Sequence, residues 1–233
     1  MFTLRKAGDR GRADFGWLDS RHSFTFGDYF DPKFMGFRTL RVINEDKVAA
    51  GGGFPTHPHR DMEIFSYVVS GALEHRDSMG NQRQLGPGQV QMMSAGSGVT
   101  HSEFNPSSDH AAHFLQIWIQ PERTGLTPSY SEWKPAANSE VLSKVLLISP
   151  DGREDSATIR QDAYVYRIRL QTGERLTHVA SQGRGIWLQV ISGSISANTN
   201  LRLAPGDGLS VENEEALHLE GIENSEALLF DLR

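Results

Sequence analysis

The chain has 233 residues, 38% of them hydrophobic, with 23 glycines, 10 prolines, no cysteine and a formal net charge of −6. The absence of cysteine excludes disulfides, thiolate nucleophiles and sulfur-ligated metals, and the acidic balance disfavours a grip on nucleic acid. No run of about 18 apolar residues occurs, and Met1-Phe2-Thr3-Leu4-Arg5-Lys6 lacks the apolar core of a signal peptide, so a cytoplasmic protein with no membrane contact is expected.

Helical periodicity is weak and strand signals dominate. Arg5, Lys6, Arg10 and Arg12, interrupted by Asp9 and Asp14, read as a solvated terminal segment. Leu40–Asn44 reads as a strand that ends at an acidic turn, Glu45-Asp46-Lys47. Gly51-Gly52-Gly53-Phe54-Pro55-Thr56 leads into His57-Pro58-His59, and a strand, Ile64 to Val69, stops at Ser70-Gly71. Ala72 to Arg76 followed by Asp77 to Asn81 reads as one arm and the tip of a hairpin. A strand-turn unit from Leu85-Gly86-Pro87-Gly88 to Met93 precedes His101-Ser102-Glu103. Phe114 to Ile119 alternates, with Leu115, Ile117 and Ile119 on one face and Gln116 and Trp118 on the other.

Pro121 to Lys144 carries Pro121, Pro128 and Pro135 and polar residues such as Ser129, Ser131, Asn138 and Ser139. It reads as a connection between two halves, packed because Tyr130 and Trp133 need burial. The second half repeats the first in outline. Val68-Val69-Ser70-Gly71 corresponds to Val190-Ile191-Ser192-Gly193, and Leu85-Gly86-Pro87-Gly88 to Leu203-Ala204-Pro205-Gly206. Two domains are expected, 1–135 and 136–233.

The pairs His57/His59 and His101/Glu103 carry the chemistry. Residues two apart on a strand face the same way. If the two strands face each other, three imidazoles and one carboxylate converge as nitrogen and oxygen ligands for a divalent transition metal. The second half keeps His218 and Glu220 but has Val179 and Ser181 where the first pair would fall, and His178 is one position off. A degenerate second domain without a complete metal site is therefore expected, with His178 on the opposite face.

These residues resemble the cupin superfamily and, within it, the pirin family. The cupin resemblance rests on Gly51-x5-His57-x-His59-x3-Glu63 and on His101-x3-Asn105. The pirin resemblance rests on Arg21-His22-Ser23-Phe24-Thr25-Phe26-Gly27-Asp28-Tyr29-Phe30-Asp31-Pro32, on His57-Pro58-His59-Arg60-Asp61-Met62-Glu63 and on Gly98-Val99-Thr100-His101-Ser102-Glu103-Phe104-Asn105. The spacing departs from the general cupin motif: seven residues separate Glu63 from Gly71 where six are usual, so the motif's glutamate falls on Ile64. In pirins the carboxylate ligand is the residue two beyond the third histidine, here Glu103.

The resemblance implies an all-β protein of two tandem cupin barrels with few helices. It implies one metal held by His57, His59, His101 and Glu103, with iron(II) expected and nickel, copper, cobalt, manganese or zinc as alternatives. The activity implied is a quercetin 2,3-dioxygenase-like cleavage of flavonols by dioxygen with release of carbon monoxide, Glu103 serving also as base. Phe24, Phe26, Phe54, Phe104 and Phe114 are candidates for an apolar slot, each equally readable as core, and His22 for the pocket mouth. The alternative is a metal-containing regulator that binds a protein partner such as a transcription factor without turnover. A sugar-binding cupin would want a polar pocket, whereas the segments around the ligands carry Phe54, Met62, Phe65, Met92, Met93 and Phe104.

Overall fold

The computed structural model describes residues 1–136, 139–198 and 201–233; residues 137 and 138, including Asn138 of the expected connection, and residues 199 and 200 lie outside them. The all-β expectation holds. Among the described residues the only helical pieces are three-residue turns at Ala7–Asp9, Ser139–Val141 and Arg153–Asp155. Among the same residues no helix is long and apolar enough to cross a membrane.

Contacts divide the chain into two units. One comprises Gly11–Pro135 with Pro150–Gln161, the other Met1–Arg10 with Ala136–Ser149 and Asp162–Arg233. The first ten residues thus go with the C-terminal half, which a single cut after residue 135 does not describe. The cause is long-range pairing: Phe2–Arg5 is a strand whose partner is Gly208–Val211. Arg5 is buried there, so this part of the terminal segment is not solvated as its charges suggested.

In the first unit a seven-stranded sheet runs in the order Ser129–Trp133, Val90–Ser94, Glu63–Ser70, Ala112–Ile119, Leu40–Val48, Leu18–His22, Gly11–Asp14. A four-stranded sheet runs Gly53–His59, Val99–Phe104, Leu73–Asp77, Gln82–Leu85. The expected acidic turn at Glu45-Asp46-Lys47 is absent. The strand continues to Val48 because Ala112–Ile119 pairs along its length on one side and Leu18–His22 on the other. The connecting segment is packed, as its aromatics required: Ser129–Trp133 joins the large sheet and Trp133 is buried.

The interior between the two sheets is layered. Leu18, Val48, Val68, Leu73, Leu85 and Phe114 form an apolar floor. Above it a polar row crosses the large sheet. His22 pairs with Asn44, Asn44 with Gln116, Gln116 with Ser66, and Ser66 with Gln91. All five are buried at 9% exposure or less.

The second unit repeats the plan. Its large sheet includes Phe2–Arg5, Gly208–Val211, Gly185–Ser192, Ser225–Leu232, Ala163–Leu170 and Lys144–Ser149 in that order. Its small sheet runs Arg175–Val179, Ala216–Gly221, Ile195–Ala197, Leu201–Leu203. The repeated turns keep their backbone: Gly71 and Gly193 have φ of +75° and +69°, Gly88 and Gly206 +74° and +83°. A side chain at such values is strained, which accounts for glycine at both copies of each turn. The interior differs. Where the first unit has a polar row, the second is filled by aliphatic residues including Ile186, Leu188, Val190, Leu217, Leu219 and Leu229.

Candidate metal centre

Three of the four expected ligands come together. Ligand atoms of His57, His59 and His101 all lie within 4.8 Å of one another. Strand pairing does this, because His101 sits directly opposite His57 in the register of Val99–Phe104 with Gly53–His59. Two positions further the register shifts and Glu103 faces Phe54. The extra residue is a bulge on the histidine strand, and a bulge re-aims the side chains beside it. The freed carbonyl of Pro55 is used at once: His57 Nδ1 lies 2.8 Å from it and donates to it.

That hydrogen bond fixes the tautomer of His57 and leaves Nε2 with its lone pair inward. His57 Nε2 and His101 Nε2 are 3.1 Å apart. Two nitrogens bound side by side to one ion at roughly 2.1 Å are separated by about 3 Å, so the spacing suits a shared metal. His59 Nε2 is buried and has no hydrogen-bond partner. Its ring packs edge-on against Trp118, centroids 4.9 Å apart. Burial first, then the neighbouring imidazoles, push His101 down to about 3 and His59 down to about 4. Both are therefore neutral at pH 7, the state in which imidazole binds metal.

A second pair of residues holds His101 from behind. The side chains of His75 and Asp77, on the adjacent strand Leu73–Asp77, are fully buried. Asp77 Oδ1 accepts from the backbone of Met79 and Asn81 in the hairpin tip, which aims Oδ2 at His75 Nε2, 3.1 Å away. Burial pushes the Asp77 carboxyl up, but hydrogen bonds from Asn81 and His75 outweigh it and hold it below its ordinary value. With His75 Nε2–H donating to this carboxylate, His75 turns its Nδ1 to His101 Nδ1, 3.4 Å away, as the acceptor of that contact. The proton lies on His101 Nδ1, and His101 Nε2 faces the other imidazoles unprotonated. His75 also falls into a cluster with His101 and Glu103, but both its nitrogens are used in this chain. The sequence carries the pair as another x, x+2 motif, masked by the hairpin reading.

Glu103 is buried beneath the imidazoles and lines the same cavity as His57 and His59. Gln91 Nε2 donates to its Oε1 at 2.6 Å and Gln116 Nε2 to its Oε2 at 2.6 Å, while the single proton of Ser66 Oγ is shared between Glu103 Oε1 at 3.0 Å and Gln116 Oε1 at 2.5 Å. Oε2 thus keeps one lone pair, and Oε1 is filled only when Ser66 turns its proton to it. Glu63, where the general cupin motif looks for its carboxylate, is engaged elsewhere. Its Oε2 accepts from Ser94 Oγ at 2.6 Å and from the backbone of Arg160 at 3.0 Å.

The cavity above the imidazoles has a volume of about 650 Å³, within the range of small-molecule sites. Of the expected aromatic residues Phe26 and Phe54 line it, and so does His22. Phe24 and Phe114 are buried in the core, and Phe104 is on the surface. Trp118, Tyr29, Asn44 and Asp46 line it as well, and the sequence reading did not place them at the pocket. Phe26 meets Trp118 edge-on at 5.5 Å.

In the second unit His218 is exposed and hydrogen-bonded to Thr177 Oγ1 at 2.9 Å. Its neighbours Leu217 and Leu219 face the core instead, so the match to His101 is one of spacing only. His178 corrects the expected orientation: it pairs with Leu217 and is buried with it. Lys144 Nζ and Asp231 Oδ2, at 2.8 and 2.9 Å, occupy its two nitrogens.

Comparison with known proteins accords with this geometry. The Pirin family model matches residues 3–119, and a model described as the quercetinase C-terminal cupin domain matches 146–232. The chain belongs to the pirin family. A quercetin 2,3-dioxygenase of Escherichia coli K12 is 48% identical over 232 residues, covering 100% of this chain and 99% of that protein. A putative quercetin 2,3-dioxygenase of Pasteurella multocida is 43% identical, with 100% of both chains covered. The crystal structure of the E. coli bacterial pirin YhhW in complex with nickel(II) superposes with a TM-score of 0.95 at 47% identity, covering 100% of this pirin and 99% of that chain. The tandem cupin fold is thereby shared along the whole chain, and the donor set of this pirin fits a divalent metal.

Proposed function

We propose that this pirin is a metal-dependent dioxygenase that opens the central ring of flavonols with dioxygen and releases carbon monoxide. His57, His59, His101 and Glu103 are its metal ligands, and one ion is held per chain, in the first unit. The observation that carries this reading is the set of three converging imidazoles and a caged carboxylate beside a cavity with aromatic residues in its wall. The E. coli relative named quercetin 2,3-dioxygenase, similar over its full length, supplies the substrate class.

Bound there, the ion, iron(II) in our reading and nickel(II) as the alternative, supplies a Lewis acid that lowers the pKa of a hydroxyl brought to it. The protein supplies the rest. The carbonyl of Pro55 and the His75–Asp77 pair lock the tautomers of His57 and His101. Glu103 Oε2, with one lone pair left, takes the proton of the flavonol 3-hydroxyl when it releases the ion. Ser66, Gln91 and Gln116 keep that carboxylate oriented throughout. Phe26, Phe54 and Trp118 offer flat apolar faces to the rings and exclude bulk water. The regulatory alternative has no observation in its favour, whereas a cavity of ligand size opens on the imidazoles.

Oxygen uptake and carbon monoxide release test the proposal, with a flavonol and its 3-deoxy analogue as substrates. Uptake with the flavonol and competitive inhibition by the 3-deoxy compound are expected. Equal oxygen consumption with both compounds would refute a role for the 3-hydroxyl, and no consumption with any flavonol would refute the activity.

A further inference from the structure

The three imidazoles are not held alike. His57 Nδ1 donates to the carbonyl of Pro55, and His101 Nδ1 lies against His75. His59 Nε2 is buried without a partner, and among the described residues no group hydrogen-bonds to the other nitrogen of its ring. The χ2 torsion of histidine is broad, so a ring without an outer partner turns easily. Histidines that bind metals almost always have such a partner.

The group that stands against His59 is Trp118. The indole meets the imidazole edge-on, with centroids 4.9 Å apart and planes at 84°, inside the range in which aromatic pairs attract. Among the described residues the other rings packed on His59 are those of His57 and His101. Two further contacts fix the indole. It packs on the apolar cluster of Ile64, Met93, Ala95 and Val99, and Phe26 meets it at 5.5 Å and 86°. Phe26 is itself tied down, because its backbone exchanges two hydrogen bonds of 3.1 Å with that of Tyr29.

Two observations set Trp118 apart from ordinary packing. Its Nε1 is buried with no acceptor, whereas a buried indole N–H usually finds one. The fold keeps the ring here in spite of that loss. Beside it, the pairing of Ala112–Ile119 with Leu40–Val48 is interrupted: Trp118 faces Val42 but Ile119 faces Leu40, which leaves Arg41 over. Such bulges are frequent next to active sites, where they re-aim side chains.

We propose that Trp118 is the positioning residue of His59. Its indole replaces the hydrogen bond that the other two imidazoles have, and Phe26 keeps the indole in place. The inference rests on the reading of His59 as a metal ligand and adds what orients it. Without the indole the χ2 of His59 is released, and the ring must be ordered anew each time a metal binds. A phenyl ring at this position still packs at right angles to the imidazole, and an alkyl chain does not.

Nickel(II) affinity, measured by competition with a chromophoric chelator, tests this without turnover. Trp118→Leu is expected to weaken nickel(II) binding roughly 10–100-fold, the range for losses in the supporting shell, and Trp118→Phe should recover most of it. In the zinc(II)-loaded protein, the imidazole resonances report each ring separately. Those of His59 should shift or broaden in Trp118→Leu, while those of His57 and His101 stay. Phe26→Leu, outside the sheets, should show a smaller effect of the same kind, and it decides the matter if Trp118→Leu does not fold. Native affinity in folded Trp118→Leu, or in Phe26→Leu where that variant stands in, overturns the proposal. Equal perturbation of all three rings overturns it too, since Trp118 would then act by general packing. His59→Ala separates the two readings. Metal loss there with native affinity in Trp118→Leu defeats the positioning role alone, whereas native nickel(II) affinity in His59→Ala defeats the ligand reading and the positioning role with it.

Discussion

Asp46 is the residue whose burial has the clearest measurable cost. Its exposure is 3%, one oxygen is held by Ser20, and the other has no partner. Burial, reinforced by the charges of Glu103 and Glu45, raises its pKa from an ordinary 3.8 to about 7. The folded protein therefore keeps the proton up to about pH 7, whereas the unfolded chain releases it near 3.8. Between these values the folded state binds more protons, so stability falls as pH rises through that window. At about 1.4 kcal/mol per pH unit, the full penalty above pH 7 is on the order of 4 kcal/mol. Asp46→Asn keeps the shape and an acceptor for Ser20 but has no proton to lose. The variant should exceed the native protein by about 1 kcal/mol at pH 4.5 and by up to ~4 kcal/mol at pH 8. Urea unfolding of both chelator-treated proteins at the two pH values measures this, and taking the difference cancels every other titrating group. A gap that does not widen with pH would show that Asp46 is ionised in the fold at no cost, and the desolvation argument would be wrong.

Four further outcomes follow from the site. His57→Ala, His59→Ala and His101→Ala should each lose bound metal, read as metal per chain in chelator-free preparations, while His178→Ala and His218→Ala retain it; metal loss in the last two would place an ion in the second unit. His75→Phe removes the acceptor behind His101 and should weaken metal binding roughly 10–100-fold in a chelator competition, as losses in the supporting shell do, and an unchanged affinity would dismiss the pair as packing. Glu103→Gln sets an amide NH₂ against the donors of Gln91 or Gln116 and should cost about 1–3 kcal/mol of stability as well as turnover, so a variant with full stability would refute the carboxylate cage. Adding metal should raise Tm with concentration, since the ion binds only the folded site; a Tm insensitive to metal would mean that the imidazoles hold none.

The parts of this architecture that could be read in the sequence were those written locally. His57/His59 and His101/Glu103 are two apart, the strands alternate, and the duplicated glycine turns recur at matching places. The rest depended on neighbours distant in the chain. Asn44 and Asp46 looked like the end of a strand and a turn, because nothing local reveals that Leu18–His22 and Ala112–Ile119 pair beside them. Once the strand runs to Val48, its period of two puts both residues inward. Ser66, Gln91 and Gln116 are isolated polar residues in largely apolar strands, and only the facing sheet makes them partners of Glu103. In the second half, a one-residue difference in phase was enough to turn His218 outward and His178 inward. Spacing identifies a repeat well, but it assigns faces only when the register is known.

The pairing of Phe2–Arg5 with Gly208–Val211 carries a consequence for biosynthesis. A ribosome adding about 5–20 residues per second delivers Gly11–Pro135 early, so the polar-cored unit can assemble while translation continues. The opening strand must meanwhile wait, its hydrogen-bonding edge uncommitted, until more than two hundred further residues have been made. Such an edge is a template for pairing with another chain. A nascent polypeptide of this protein thus stays open to edge pairing at Phe2–Arg5 until Gly208–Val211 has emerged, and an insertion placed before Phe2 acts on the last barrel to close, not the first.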